Sequence, residues 1–222
     1  MADDGDYSRR FVLDRPMLER IEDRGFTTAL DVGCGEGRFC RKLQTLGIAT
    51  VGIDPTAELV ERARALDPAG DYRIESAETL NVAAGAFDLV VSYLSLVDIR
   101  ELSTAVVKMV EALRPGGTLL IANLTSFNSA GTAAGWTQSA DGRTQFCIDH
   151  YLEERPVSVS WRGISVVNWH RPLSTYMTLL LAQGLELRHF SEPAPSGGDP
   201  QRNEKYRRVP YFYIMEWQRP IR

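Results

Sequence analysis

Three glycines in Asp31-Val32-Gly33-Cys34-Gly35-Glu36-Gly37 follow the apolar step Ala29-Leu30 and open onto a helix-patterned stretch. That placement constrains the chain most, because it puts glycine where a strand must turn into a helix. Without a Cβ the backbone can take positive φ, and a ligand can approach the main chain closely at the N-terminus of the helix. Beyond the turn, Phe39, Leu43 and Leu46 recur at helical spacing and should lay one face on a sheet. Leu59, Ala63 and Leu66 repeat the device, and so do Leu102, Val106, Met109, Val110 and Leu113 before Pro115-Gly116-Gly117 ends that helix. Short aliphatic runs separate these helices, so the unit is a repeated βαβ. The expected fold is α/β, a doubly wound and mostly parallel sheet whose ligands gather at the carboxyl ends of the strands.

About twenty residues after the turn, Val51-Gly52-Ile53-Asp54 reads as a second strand ending in a carboxylate, the position that hydrogen-bonds ribose hydroxyls in nucleotide-binding sheets. The glycine spacing is G-x-G-x-G rather than G-x-G-x-x-G, and Arg38 stands where the dinucleotide fingerprint has its third glycine. Glu36 lies inside the turn, where it would repel a pyrophosphate. A nucleoside without phosphates fits better than a dinucleotide.

The stretch Leu30 to Phe39, LDVGCGEGRF, resembles the first motif of the class I S-adenosylmethionine-dependent methyltransferases. Four further segments agree in order. Val51 to Asp54 is similar to the second-strand motif, Ile74-Glu75-Ser76-Ala77-Glu78 to the adenine-contacting loop, Phe87 to Tyr93 to the fourth strand, and Leu113 to Ile121 to the turn into the fifth. The resemblance implies a Rossmann-like fold of seven strands, the last antiparallel, and S-adenosylmethionine as cofactor with S-adenosylhomocysteine as product. Its implied contacts are Asp31, Gly33, Cys34, Gly35, Asp54, Pro55, Ser76, Ala77, Glu78, Ser92 and Tyr93. Ser76 departs from the aspartate often found there, although a hydroxyl can accept the same bond.

The whole chain, residues 1–222, is expected to be a single domain with two additions. A helical leader over residues 1–28, opening with Pro16 in a first turn, should pack over the cofactor as leaders do in this family. An insertion over 124–170, after the fifth strand, should form a lid and acceptor pocket. Within it, Thr125 to Gly142 shows no periodicity and reads as a long connection, whereas Val157 to Trp161 and Ile164 to Trp169 read as a β-hairpin around Arg162-Gly163. Leu173, Met177, Leu180 and Leu181 then give a helix closed by Gly184, followed by strands over Leu185 to Phe190 and Val209 to Trp217.

Methyl transfer from a sulfonium needs an aligned nucleophile, and oxygen or carbon acceptors also need a base. His150, on the lid beside Asp149, is read either as solvent-facing or as that base. His170 either organises a helix start or lines the pocket, and His189 lies on a strand far from the carboxyl ends. Trp136, Tyr151, Trp161 and Trp169 collect on the lid, as a stacking surface or as ordinary packing. Asp98 could face the acceptor or cap a helix. Ser92-Tyr93-Leu94-Ser95 replaces the Asn or Asp with two prolines of adenine and glutamine methylases, which points to a small-molecule acceptor.

The 222 residues are 44% hydrophobic and 24% charged, enough apolar material for a core. A net charge of −4 argues against a nucleic-acid backbone as partner, and the basic cluster Arg202 to Arg208 beside Gly197, Gly198 and Pro200 reads as a solvated loop. No apolar run suits a membrane span, Met1 to Asp6 lacks an export pattern, and Cys34, Cys40 and Cys147 show no metal spacing. The expectation is a metal-independent cytoplasmic enzyme, monomer or homodimer. Two other readings remain open: a non-catalytic S-adenosylmethionine-binding module and an NAD(P)-dependent oxidoreductase.

Overall fold

A computed structural model of the chain describes residues 5–131, 135–161 and 164–221. The leader is helical from Tyr7, passes through a π-helical segment, Arg9–Leu13, and continues as α1 (Asp14–Glu19). Pro16 is therefore not in the first turn of the leader. The widened register ahead of it, where the Asp14 N–H donates to Arg9 O, lets the helix absorb a residue that has no N–H to give.

The βαβ units follow: β1 (Thr28–Val32), α2 (Arg38–Thr45), β2 (Ala49–Asp54), α3 (Ala57–Leu66), β3 (Asp71–Ile74), β4 (Phe87–Tyr93), α4 (Leu102–Ala112) and β5 (Leu113–Leu124). The sheet closes with α6 (Leu173–Ala182), β10 (Glu186–Ser191), α7 (Pro200–Arg208) and β11 (Phe212–Gln218). Its strand order is β10-β11-β5-β4-β1-β2-β3. β1 to β5 pair in parallel and β11 runs antiparallel to β5 and β10, so the seven-stranded doubly wound sheet is the one the sequence reading expects. The winding reverses between β1 and β4, and that reversal opens a crevice at the carboxyl ends of the strands.

Two apolar layers sandwich the sheet. One centres on Leu30, Val90, Met109, Leu119 and Trp217, the other on Leu13, Met17, Leu43, Leu89 and Ile214. All seven residues of β4 are buried, as a central parallel strand covered on both faces requires.

Several expectations need correction. Phe39 and Leu43 face the sheet, but Leu46 caps α2 and is exposed. On α3 the buried residues are Val60 and Ala63, while Leu59 and Leu66 point outward, so the apolar stripe is rotated from the expected one. α4 ends at Ala112, because Leu113 is already extended, and the Pro-Gly-Gly lies within β5. Leu181 is exposed, and Tyr176 with Leu180 buries the face of α6. The basic cluster is a helix: the Asp199 side chain accepts from the Gln201 N–H as N-cap, and Pro200 occupies the first turn of α7.

After β5 the chain makes α5 (Ser126–Ala130), then two hairpins, β6 (Gly135–Gln138) with β7 (Thr144–Cys147), and β8 (Arg155–Trp161) with β9 (Ile164–His170). The second hairpin is the expected one; its turn, Arg162-Gly163, lies outside the described residues. The first, together with α5, corrects the reading of this stretch as an unstructured connection. Part of that stretch, residues 132–134, also lies outside the described residues. No helix among the described residues is long and apolar enough to cross a membrane.

Candidate active site

The glycine turn grips β2. The N–H groups of Gly33 and Cys34 both donate to Ile53 O, at 2.8 and 2.9 Å. Gly33 has φ +79°, and a Cβ there would meet the Ser95 Cβ at 2.3 Å, so the position admits no side chain. Gly35 has φ +55° with open space where a Cβ would go, which leaves bare main chain facing the crevice. Asp54 ties the ends of β1 and β2 together: its Oδ2 accepts from Gly35 N–H at 3.0 Å and its Oδ1 from Thr56 N–H at 2.9 Å.

Over these groups lies a cavity of about 640 Å³, adjoined by a smaller one of about 190 Å³ beneath the turn, within the size range of small-molecule sites. Gly33, Gly35, Asp54, Pro55, Ser76, Ala77, Glu78 and Tyr93 line the larger cavity, and Asp31 and Cys34 the smaller. Ser92 does not join them. It is fully buried and its hydroxyl donates to Ser95 Oγ at 2.7 Å, because the Ser95 proton is committed to Val32 O at 2.5 Å.

The electrostatics are acidic. Asp31 is 1% exposed, and its Oδ1 has no hydrogen-bond partner. Burial pushes its carboxyl up to about 7, against a stabilising bond from the Cys40 thiol and with help from the Asp54 charge. Asp98 is exposed at the cavity wall, where partial desolvation, reinforced by Asp54 and opposed by Arg9, raises its carboxyl to about 6. Asp98 lines the larger cavity and does not cap α4, whose N-cap is Glu101.

The leader borders the cavity, as the resemblance implies, through residues that the sequence pattern does not single out. Asp6, Ser8 and Arg9 line the larger cavity, as do Leu59, on the outward face of α3, and Val166, Val167 and Asn168 of β9. Asp14 fastens the leader: it pairs with both terminal nitrogens of Arg38, accepts from the Tyr93 hydroxyl at 2.8 Å and lies 3.7 Å from Lys42. Arg38, which stands where a third glycine would be, is thus the anchor of the leader. A helix spaced to bring Asp14 and Arg38 together has no short-range signature.

Neither histidine lines the cavity. His170 is fully buried, Nδ1 lies 2.7 Å from Ser129 Oγ and Nε2 2.9 Å from Tyr151 O, so it staples α5, β9 and the segment between the hairpins. Burial holds its pKa below the usual histidine value. His150 is exposed and pairs with Glu153 at 2.9 Å and Asp149 at 3.5 Å. The lid aromatics do not form one surface. Trp136 donates to the Tyr211 hydroxyl at 2.6 Å and lies under Arg208, Tyr151 packs on Phe127 and His170, and Trp169 meets the guanidinium groups of Arg100 and Arg171. The side chain of Trp161 lies outside the described residues.

These residues fit S-adenosylmethionine on one observation in particular. A buried carboxylate with an orphaned oxygen, Asp31, is the complement of an ammonium group, and it borders the glycine main chain against which a nucleoside can lie. Asp54 and the 76–78 loop stand further along the same cavity, where ribose and adenine would fall.

Comparison with known proteins agrees. Residues 30–121 match the family model described as Methyltransferase domain. Over 99 residues the chain is 34% identical to a ubiquinone biosynthesis O-methyltransferase of Chelativorans sp. (strain BNC1), covering 43% of this chain and 39% of that protein. Over 110 residues it is 32% identical to a malonyl-[acyl-carrier protein] O-methyltransferase of Enterobacter lignolyticus, covering 50% and 44%. The chain thus matches less than half the length of these curated relatives. A crystal structure of an S-adenosylmethionine dependent methyltransferase from Mesorhizobium loti superposes with a TM-score of 0.83 at 27% identity, over 98% of this chain and 100% of that one. A second, from Listeria monocytogenes, shares the fold with a TM-score of 0.83 at 22% identity, over 92% and 95%. Residues 30–121 thus match a methyltransferase domain, and the chain along its length has the fold of S-adenosylmethionine-dependent methyltransferases.

Proposed function

We propose that the chain methylates a small-molecule acceptor held in the larger cavity, with S-adenosylmethionine seated on the Gly33–Gly35 turn. The observation that carries this reading is the continuity of one cavity from the motif residues Gly33, Gly35, Asp54 and Ser76 to the apolar face of β9. Asp31 would hold the ammonium of the cofactor, Asp54 the ribose and the 76–78 loop the adenine. When bound, S-adenosylmethionine supplies an electrophilic methyl group whose departing sulfur needs no proton. The chain's own task is then to align the acceptor and exclude water, effects worth about 7–11 kcal/mol in favourable cases.

The insertion, residues 124–170, serves as the acceptor wall through β9, and the leader as the roof. Both curated relatives are named as O-methyltransferases, which supports an oxygen acceptor here without naming it. An acidic cavity and a net charge of −4 speak against nucleic acid. The free thiols Cys34, Cys40 and Cys147 support a reducing, cytoplasmic setting.

Calorimetry with S-adenosylhomocysteine and NADPH, followed by a metabolite-extract screen with methyl-labelled cofactor, tests the reading. Binding of S-adenosylhomocysteine and a labelled product are expected. Binding of NADPH alone would favour an oxidoreductase, and cofactor binding with no labelled product across broad panels would favour a non-catalytic module.

A further inference from the structure

Beyond the residues assigned to the cofactor, the cavity is bounded by the segment after β4 and by β9. Leu94, Val97, Ile99, Val166 and Val167 make that end apolar, with Asp98 and Asn168 set among them. Among the described residues, no hydrogen bond or ion pair engages the Asp98 carboxylate. Its backbone, by contrast, is pinned from several sides. Asp98 N–H donates to Ser95 O at 3.0 Å, and Trp169 N–H donates to Val97 O at 2.6 Å. Arg171 Nη2 donates to Ile99 O and Arg100 O, at 2.8 and 2.7 Å. A carboxylate on a fixed backbone, open to a cavity and unpartnered in an apolar wall, is arranged to meet something that enters.

The charged groups that share the cavity are known element by element. Asp54 comes from the end of β2, Glu75 and Glu78 from the loop after β3, and Asp6 and Arg9 from the leader; among the described residues β9 presents Val166, Val167 and Asn168. Arg9, the cation among them, already pairs with Asp6 at 2.6 Å. Among the described residues that line the cavity, an anionic acceptor would meet five carboxylates and no second cation, leaving it only the cofactor's own sulfonium to offset that repulsion.

We infer that Asp98 takes the acceptor's proton, and that the acceptor is an alcohol, phenol or amine on an apolar body rather than a carboxylic acid. The inference rests on the methyl-transfer reading and narrows its substrate. As the acceptor heteroatom bonds to the methyl carbon, the carbon–sulfur bond breaks with its electron pair passing to sulfur. The X–H proton moves to a carboxylate oxygen of Asp98 and from there to solvent. A carboxyl group raised by its surroundings toward neutrality is a stronger proton acceptor than an ordinary one while remaining mostly ionised at neutral pH.

The test uses the full chain saturated with S-adenosylhomocysteine and three probes with a common apolar body: benzylamine, benzyl alcohol and benzoate. Binding is read by ¹³C-carboxyl NMR of aspartate-labelled protein and by calorimetry. In the parent protein, benzylamine and benzyl alcohol should shift the Asp98 resonance and bind at least about tenfold more tightly than benzoate. Asp98→Asn should erase that preference while leaving S-adenosylhomocysteine affinity within about twofold, which shows the variant is folded. For any alcohol or phenol that is methylated, Asp98→Asn should lower kcat about 10²-fold or more, with KM changing far less, and should remove the acidic limb of the kcat/KM pH profile. Benzoate binding as well as benzylamine, no binding of amine or alcohol at their solubility limits, or an unchanged kcat in Asp98→Asn overturns the inference and leaves the cofactor reading intact. Failure of the parent protein to bind S-adenosylhomocysteine at all sinks the methyl-transfer reading instead.

Discussion

Replacing Asp14 with Asn measures how far the roof of the cavity depends on one carboxylate. The Asp14 and Arg38 side chains are 13% and 10% exposed, so water screens their pairing little. Asn retains an acceptor for the Tyr93 hydroxyl but loses the charge and one of the two oxygens that engage the Arg38 guanidinium. Removing one partner of such a pair costs about 3–5 kcal/mol, against about 0–1 kcal/mol for an exposed pair. In a domain of this size each kcal/mol lowers Tm by about 2–4 °C. With one acceptor retained, a loss of about 6–12 °C is expected by differential scanning calorimetry. S-adenosylhomocysteine affinity should fall with it, since Asp6, Ser8 and Arg9 ride on the same leader. A double-mutant cycle supplies a further check: Asp14→Asn and Arg38→Met together should destabilise less than the sum of the two alone, because they remove the same pairing. Two outcomes would refute the reasoning. One is an Asp14→Asn variant that melts within about 2 °C of the parent; the other is strict additivity of the two substitutions.

Asp31 makes stability and cofactor affinity move oppositely with pH. Its folded-state pKa, about 7, lies above the unfolded carboxylate value. Its contribution to stability is therefore full below the unfolded value and is lost as pH rises through about 7. The apo protein should gain melting temperature from this group between about pH 8 and pH 5, while S-adenosylhomocysteine, whose ammonium needs the ionised form, should bind more weakly; Asp31→Asn should flatten both trends in paired melting and calorimetric titrations. Asp54→Ala should weaken S-adenosylhomocysteine binding by about 1.5–3 kcal/mol in calorimetry, as expected for lost charge-assisted hydrogen bonds, and unaltered affinity would remove Asp54 from the ribose. Gly33→Ala should destabilise by more than the roughly 1–2 kcal/mol of a left-handed alanine, because its Cβ also meets Ser95; a denaturant midpoint equal to the parent's would contradict the turn geometry. His150→Gln should leave methyl transfer unchanged and His170→Gln should lower Tm by releasing Ser129 and Tyr151, and the reverse pattern would return His150 to the reaction.

The sheet was legible where several local signals agreed. β1 and β2 each join an aliphatic run to a glycine or carboxylate at the carboxyl end, and Gly33 and Asp54 now line the cavity. Where signals competed, the wrong one was weighted. Gly197, Gly198 and Pro200 suggested a loop, although Asp199-Pro200 is an N-cap followed by a first-turn proline and starts α7. On α3 leucines were chosen over Val60, although Val60 and Ala63 share a face at three-residue spacing and Leu59 is turned toward the cavity. The candidate site was legible on the cofactor side, because a single turn and its neighbouring strand ends supply most of it. The proposed acceptor side was legible only in outline, as an insertion over 124–170 and an Asp98 that could face it, because its walls come from the leader, the segment after β4 and β9, which meet through long-range contacts such as Trp169 to Val97 and Tyr93 to Asp14. His150 and His170 suggest themselves as bases by residue type and by their places on the insertion, but His150 is exposed outside the cavity lining and His170 is buried with both ring nitrogens engaged.

A chamber that holds an alkylating agent must keep its own walls from being alkylated. Tyr93 faces both cavities, and a phenolate there would be a rival nucleophile. Burial and the neighbouring Asp14 charge hold its hydroxyl far above its ordinary pKa, and its proton is directed away into that carboxylate. On the methyl-transfer reading, the fastening that secures the leader therefore has a second effect: it keeps the Tyr93 hydroxyl protonated and turned away from any methyl donor in the cavity.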